Sequence, residues 1–159
     1  MNLHIVLYPN KVLRTKTKKV KFPLTNQERK LIKDMLDTVK HADGVGLAAP
    51  QVNQSLALIV VNLESMGLKP FVLINPEVIK SSKKKVEMEE GCLSIPGVFG
   101  YVPRPDEIEF QAQDVDGNKF SAKVDGMLSK VIQHEIDHIN GVLIIDRIKK
   151  YTQGKELVK

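Results

Sequence analysis

The chain has 159 residues, 42% of them hydrophobic, which suits one compact domain with a core able to hold a buried site and leaves little for a second. Its 24 Lys and Arg outnumber 19 acidic residues, giving a formal charge of +5, but the clusters at Lys16 to Lys21, Lys83 to Lys85 and Lys149 to Lys159 lack aromatic platforms or an RNA-binding motif, so basicity assigns no DNA or RNA partner. No stretch approaches the roughly 18 apolar residues of a membrane helix, and Met1 to Val6 do not open a secretory segment, so the expectation is a cytoplasmic protein with no membrane partner.

Along the chain, Thr25 and Glu28 have capping-box spacing, and Leu31, Ile32, Met35, Leu36 and Val39 recur at helical intervals, predicting a helix that ends at Asp43-Gly44. Val45 to Gln51 is too rich in glycine and small residues for a helix, and Pro50 biases Ala49 toward extended geometry, so this segment is expected to line something. Leu56 to Val61 and Phe71 to Ile74 are apolar runs of strand length, the second closed by Asn75-Pro76. Ile108, Phe110 and Ala112, then Phe120, Ala122 and Val124, alternate with polar residues around Asp116-Gly117-Asn118, which predicts a β-hairpin. A second helix is predicted over about Met127 to Ile139, stopped by Asn140-Gly141. The fold class is α+β, with mainly antiparallel β-sheets packed around a C-terminal metal-binding helix and one further helix near the N-terminus. Residues 1–148 form the expected catalytic domain and 149–159 a basic C-terminal tail.

The late helix carries His134-Glu135-Ile136-Asp137-His138. Histidines four apart project from one helix face and can reach one metal ion, while Glu135 between them can address water beside the metal as a general base. The short pattern also arises by chance on amphipathic helices. The single cysteine excludes an internal disulfide; taken alone, Cys92 reads as a buried small hydrophobe. Combined with His134 and His138, it gives a three-ligand set with a fourth position open to water, which is the composition of a catalytic site rather than a closed structural one. His4 and His41 stand alone and read as surface residues. Gln51, following the glycine-rich segment, could hold the oxyanion of a tetrahedral intermediate, though a side-chain amide here also fits an ordinary turn.

Three segments, Gly44 to Gln51, Glu90 to Ser94 and His134 to His138, together resemble the signatures of the peptide deformylases, in that family's order and without a departing position. The resemblance extends from Leu7-Tyr8-Pro9 and Leu13-Arg14 to Ile145-Asp146-Arg147. It implies a metal-dependent hydrolase that removes the N-formyl group from the initiator methionine of nascent polypeptides, giving formate and a free N-terminal methionine. It further implies that Cys92, His134 and His138 bind one divalent ion, that Glu135 shuttles the proton, and that Gln51 with the Leu93 backbone N–H forms the oxyanion hole. Fe2+ is the ion the family implies for the cell, with Zn2+, Ni2+ or Co2+ able to substitute. The expected substrates are N-formylmethionyl peptides, with main chain pairing near Gly46 and Ile95 to Gly97. Val45, Leu93 and Val131 are expected to hold the methionine side chain. A ribosome contact through Lys149, Lys150, Lys155 and Lys159 is a further expectation. The competing readings are a zinc endopeptidase, which shares His-Glu-x-x-His but not the cysteine ligand, and a non-catalytic ribosome-associated module.

Overall fold

A computed structural model describes residues 1–158; Lys159, at the end of the expected basic tail, lies outside them. The first helix, α1 (Asn26–His41), starts at Thr25, whose hydroxyl accepts from the Glu28 N–H while the Glu28 carboxylate accepts from the Thr25 N–H. The predicted capping box therefore satisfies two of the helix's orphan N–H groups. Strand β1 (Gly46–Ala48) follows and runs into a 3-10 turn over Ala49–Val52. Next come β2 (Leu58–Val61), β3 (Phe71–Ser81), β4 (Lys85–Cys92), β5 (Ile95–Pro105), β6 (Glu107–Gln113) and β7 (Lys119–Asp125). Helix α2 (Gly126–Ile139) and strand β8 (Lys150–Gln153) complete the chain.

The strands form a five-stranded sheet in the order β1-β2-β3-β6-β7 and a three-stranded sheet in the order β4-β5-β8, with every pairing antiparallel. Strand β2 is buried on both faces, which explains its continuous apolar run. Leu58 and Val60 join Ile32, Met35 and Val39 of α1, whereas Ile59 and Val61 join Val131, Ile132, Ile136 and Ile139 of α2. The larger sheet is thus clamped between the two helices. A third cluster, built from Val6, Leu13, Ile95, Val98, Leu143 and Ile144, ties the chain's opening residues to β5.

Three features depart from the sequence expectation. Strand β3 does not close at Asn75-Pro76 but continues to Ser81 through a register shift between Ile74 and Glu77. Pro76 cannot donate to the ladder, and Asn75, at φ 52, uses its side-chain amide to bond Val20 O and Gln113 Oε1 instead. The long pair β4 and β5 was not anticipated, because Pro96, Pro103, Pro105, Gly91, Gly97 and Gly100 dilute its strand signal. The residues after Ile148, read as a basic tail, fold back as β8 along Phe99 to Tyr101 of β5. Tyr151 and Val158 pack against the third cluster, which holds this segment in place.

Candidate active site

Helix α2 and strand β4 run past each other, and their contacts define the site. On β4, Val86, Met88, Glu90 and Cys92 are partly buried while Lys85, Glu87 and Glu89 are exposed, so alternate residues turn inward. Cys92 Sγ meets His138 Nε2 at 3.4 Å, one helical turn away Glu90 Oε1 meets His134 Nδ1 at 3.0 Å, and a further turn away Lys130 Nζ donates to Val86 O at 2.7 Å. The first helical turn is matched by two strand residues and the second by four, a distance the long Lys130 side chain covers.

One ligand atom from each of Cys92, His134 and His138 lies within 4.8 Å of the others. Tetrahedral bonding to one ion would place a thiolate and an imidazole nitrogen roughly 3.5 Å apart, so the Cys92–His138 separation is already of the right size. The Glu90 bond occupies His134 Nδ1 and leaves Nε2 to face the cluster. The donor set therefore fits a divalent ion. Glu90 is held down to about 2: burial would raise it, but the bonds from His134 and Arg104 outweigh that.

Behind the cluster lies a chain of charges that sequence reasoning did not single out. Arg104, buried on β5, donates to both oxygens of Glu90 (2.6 and 3.0 Å) and to Asp137 Oδ2 at 2.9 Å. Arg147 donates to both Asp137 oxygens (2.6 and 3.0 Å). Glu90 and Asp137 belong to the second and third signatures, which was the available sign of a role, but Arg104 carried no local pattern. The bidentate geometry fixes the carboxylate that orients His134.

Glu135 faces the same space from the next position of α2. It is 3% exposed, and its Oε2 is one of two buried side-chain polar atoms without a hydrogen-bond partner among the described residues. Burial pushes its carboxyl up to about 7. Gly46 of β1 lies directly against it: a Cβ there would sit 2.7 Å from Glu135 Oε1. Across the cluster, Gln51 is fixed at both ends of its amide. Its Oε1 accepts from Ala48 N at 3.0 Å, while Nε2 reaches Ser94 Oγ at 3.1 Å and Cys92 Sγ at 3.6 Å. The turn after β4 carries Leu93.

These groups line one cavity of about 490 Å³. Its wall includes Val45, Gly46, Gln51, Cys92, Leu93, Val131, His134 and Glu135, so nearly every residue expected at the site borders the same space. His138 is 1% exposed and reaches the cluster from behind. Val45 is 40% exposed at the rim, whereas Val131 is buried. Pro96, Gly97 and Phe99 of β5 also line the cavity, together with Met88, Met127 and Lys130.

The sequence profile of the polypeptide deformylase family matches residues 2–154. A peptide deformylase of Dictyoglomus thermophilum is 47% identical over 145 residues, covering 91% of this chain and 92% of that protein. Among solved structures, the peptide deformylase of Thermotoga maritima superposes with a TM-score of 0.88 at 38% identity, covering 94% of this chain and 99% of the other. That of Synechococcus elongatus in complex with actinonin gives 0.87 at 42% identity, covering 93% and 79%.

Proposed function

We propose, for a chain that belongs to the polypeptide deformylase family, that its cavity removes the N-formyl group from N-formylmethionyl peptides, releasing formate and a free N-terminal methionine. One observation carries the mechanism: Cys92 and His134 of the Cys-His-His donor set, a buried carboxylate with an unused oxygen and a fixed side-chain amide border one cavity, with His138 meeting Cys92 from behind. Cys92, His134 and His138 would hold one divalent ion, Fe2+ in the cell, with Zn2+, Ni2+ or Co2+ able to substitute. When bound, that ion supplies Lewis acidity to water and to the formyl oxygen.

The chain's own groups do the rest. Glu135 takes a proton from the attacking water and returns it to the departing amine; a carboxyl raised to about 7 is matched to both transfers near neutral pH. Gln51 Nε2 and the Leu93 N–H donate to the formyl oxygen as it gains negative charge. The bonds from Ala48 N to Gln51 Oε1 and from Nε2 to Ser94 Oγ fix the amide, and the remaining Nε2 hydrogen, which faces Cys92 Sγ at 3.6 Å, is the one that turns to the formyl oxygen. Gly46 and the Ile95 to Gly97 backbone pair with the peptide main chain, while Val45, Leu93 and Val131 enclose the methionine side chain.

No helix among the described residues is long and apolar enough to cross a membrane, and the setting proposed is the cytoplasm. Lys149 and Lys150 remain exposed beside and on β8, which keeps a ribosome contact in the proposal, through an ordered strand. The deciding experiment is hydrolysis of formyl-Met-Ala-Ser by metal-loaded protein, read as formate release. Absence of formate together with internal cleavage of casein would identify an endopeptidase; absence of both would identify a non-catalytic module.

A further inference from the structure

Lys130 is an unusual residue to find in a pocket for an apolar side chain. It lies on α2 one turn before His134, next to Val131, and is 3% exposed while lining the cavity. Its ammonium has three donors. One is used, by Val86 O at 2.7 Å, and among the described residues it forms no other hydrogen bond and no ion pair. A buried polar head with spare donors is costly unless something accepts from it.

The alignment of α2 with β4 locates that head. His138 meets Cys92, His134 meets Glu90 and Lys130 meets Val86, so Lys130 stands one turn from His134 and two turns from His138 along the same helix. Met88, which projects between Glu90 and Val86, and Met127, one turn earlier on α2, line the same space. A peptide whose formyl group sits at the Cys-His-His cluster, with its first side chain against Val131, directs the tip of that side chain toward Lys130. Around it the wall is apolar, formed by Met88, Met127 and Val131, and Lys130 is the residue there that brings side-chain donors.

We propose that Lys130 is a specificity-determining residue of this pocket, and that its ammonium lets the protein deformylate peptides beginning with formylmethionine sulfoxide as well as formylmethionine. The proposal rests on the deformylase reading above. Oxidation turns the thioether into a polar S=O group with a strong acceptor oxygen. A wholly apolar pocket would strip that oxygen of water and leave it unpaired, whereas Lys130 offers it a charge-assisted partner in place of water.

The test compares kcat/KM for formyl-Met-Ala-Ser, its methionine sulfoxide counterpart and formyl-norleucine-Ala-Ser, using Co(II)-loaded protein and formate release. Wild type is expected to process the sulfoxide peptide within about 10-fold of the methionine peptide, and Lys130→Met to lower that ratio by about another 10-fold, the value of one charge-assisted hydrogen bond. Lys130→Arg, which keeps donors at the same place, should keep the wild-type ratio, and the norleucine-to-methionine ratio should not fall with the sulfoxide ratio. A wild-type penalty beyond about 10-fold, or a Lys130→Met ratio within about 3-fold of wild type, overturns the proposal. If Lys130→Met does not fold, the wild-type ratio decides alone. If the methionine peptide itself releases no formate, the deformylase reading fails instead.

Discussion

Replacing Gly46 by Ala should disable the reaction without touching a metal ligand. Gly46 has ordinary extended backbone, so alanine adds no strain of its own, but its Cβ would meet Glu135 Oε1 at 2.7 Å, Cγ at 2.9 Å and Cδ at 3.0 Å. Ordinary contact begins near 3.4 Å, so the carboxylate must retreat by about 0.7 Å at its nearest atom. The carboxylate can swing into the cavity it borders, but its stem is fixed on a helix held to the sheet by Val131, Ile132 and Ile136, so the swing carries it away from its present place beside the Cys-His-His cluster. A misplacement of this size in a proton-transfer group costs about 100-fold in rate, or about 2.7 kcal/mol of transition-state stabilisation. The assay is kcat for formyl-Met-Ala-Ser at matched metal occupancy, alongside the double variant Gly46→Ala/Glu135→Gln. If Gly46 acts through Glu135, the double variant is no slower than Glu135→Gln alone. Activity of Gly46→Ala above about a third of wild type, or multiplicative losses in the double variant, would refute the reasoning.

Glu135→Gln by itself should keep the metal and lose about 100- to 10,000-fold in activity, since an amide can neither take nor return the proton; loss of metal would make Glu135 a ligand instead. The protein should strongly prefer formyl over acetyl on the same peptide, because an added methyl in a filled site costs about 1 to 3 kcal/mol; equal rates would mean a wider site between Gly46 and Gln51. Anaerobic reloading of stripped protein should give an Fe(II) form faster than the Zn(II) form but quickly lost in air beside the Cys92 thiolate, whereas Ni(II) and Co(II) forms persist; a fastest zinc form and an air-stable iron form would remove the iron assignment. Burial would raise Asp146, but the bonds from Arg14 and the Leu143 N–H hold it below the ordinary carboxylate range. Its contribution to stability is therefore complete above that ordinary value and lost as pH falls through the folded one, so Asp146→Asn should flatten the acid dependence of the denaturation midpoint below about pH 5.

The sequence by itself determined the chemistry-bearing parts whose spacing is local. His134 and His138 share a helix face because the helix repeats every 3.6 residues, and the Thr25–Glu28 cap, the Ile108 to Val124 hairpin and the doubly buried run of β2 are each set within a few residues of chain. Fold class was legible for the same reason, since two apolar periodicities alternate along the chain. What only the tertiary structure decided is everything that depends on strands with weak local signals. The β4–β5 pair, masked by prolines and glycines, carries Cys92 to His138 and buries Arg104 against Glu90 and Asp137, contacts spanning 14 to 46 residues of sequence. Glu135 needs a glycine at position 46, on the edge strand of a sheet against which its helix packs, and no spacing rule connects the two. Lys130 looks in sequence like one more solvated lysine; only the passage of β4 across α2 covers its stem and turns its ammonium to Val86. Local spacing selects which groups a segment presents, while long-range pairing settles what each of them faces and how far it is removed from water, and that removal sets the carboxyl of Glu135 near neutrality.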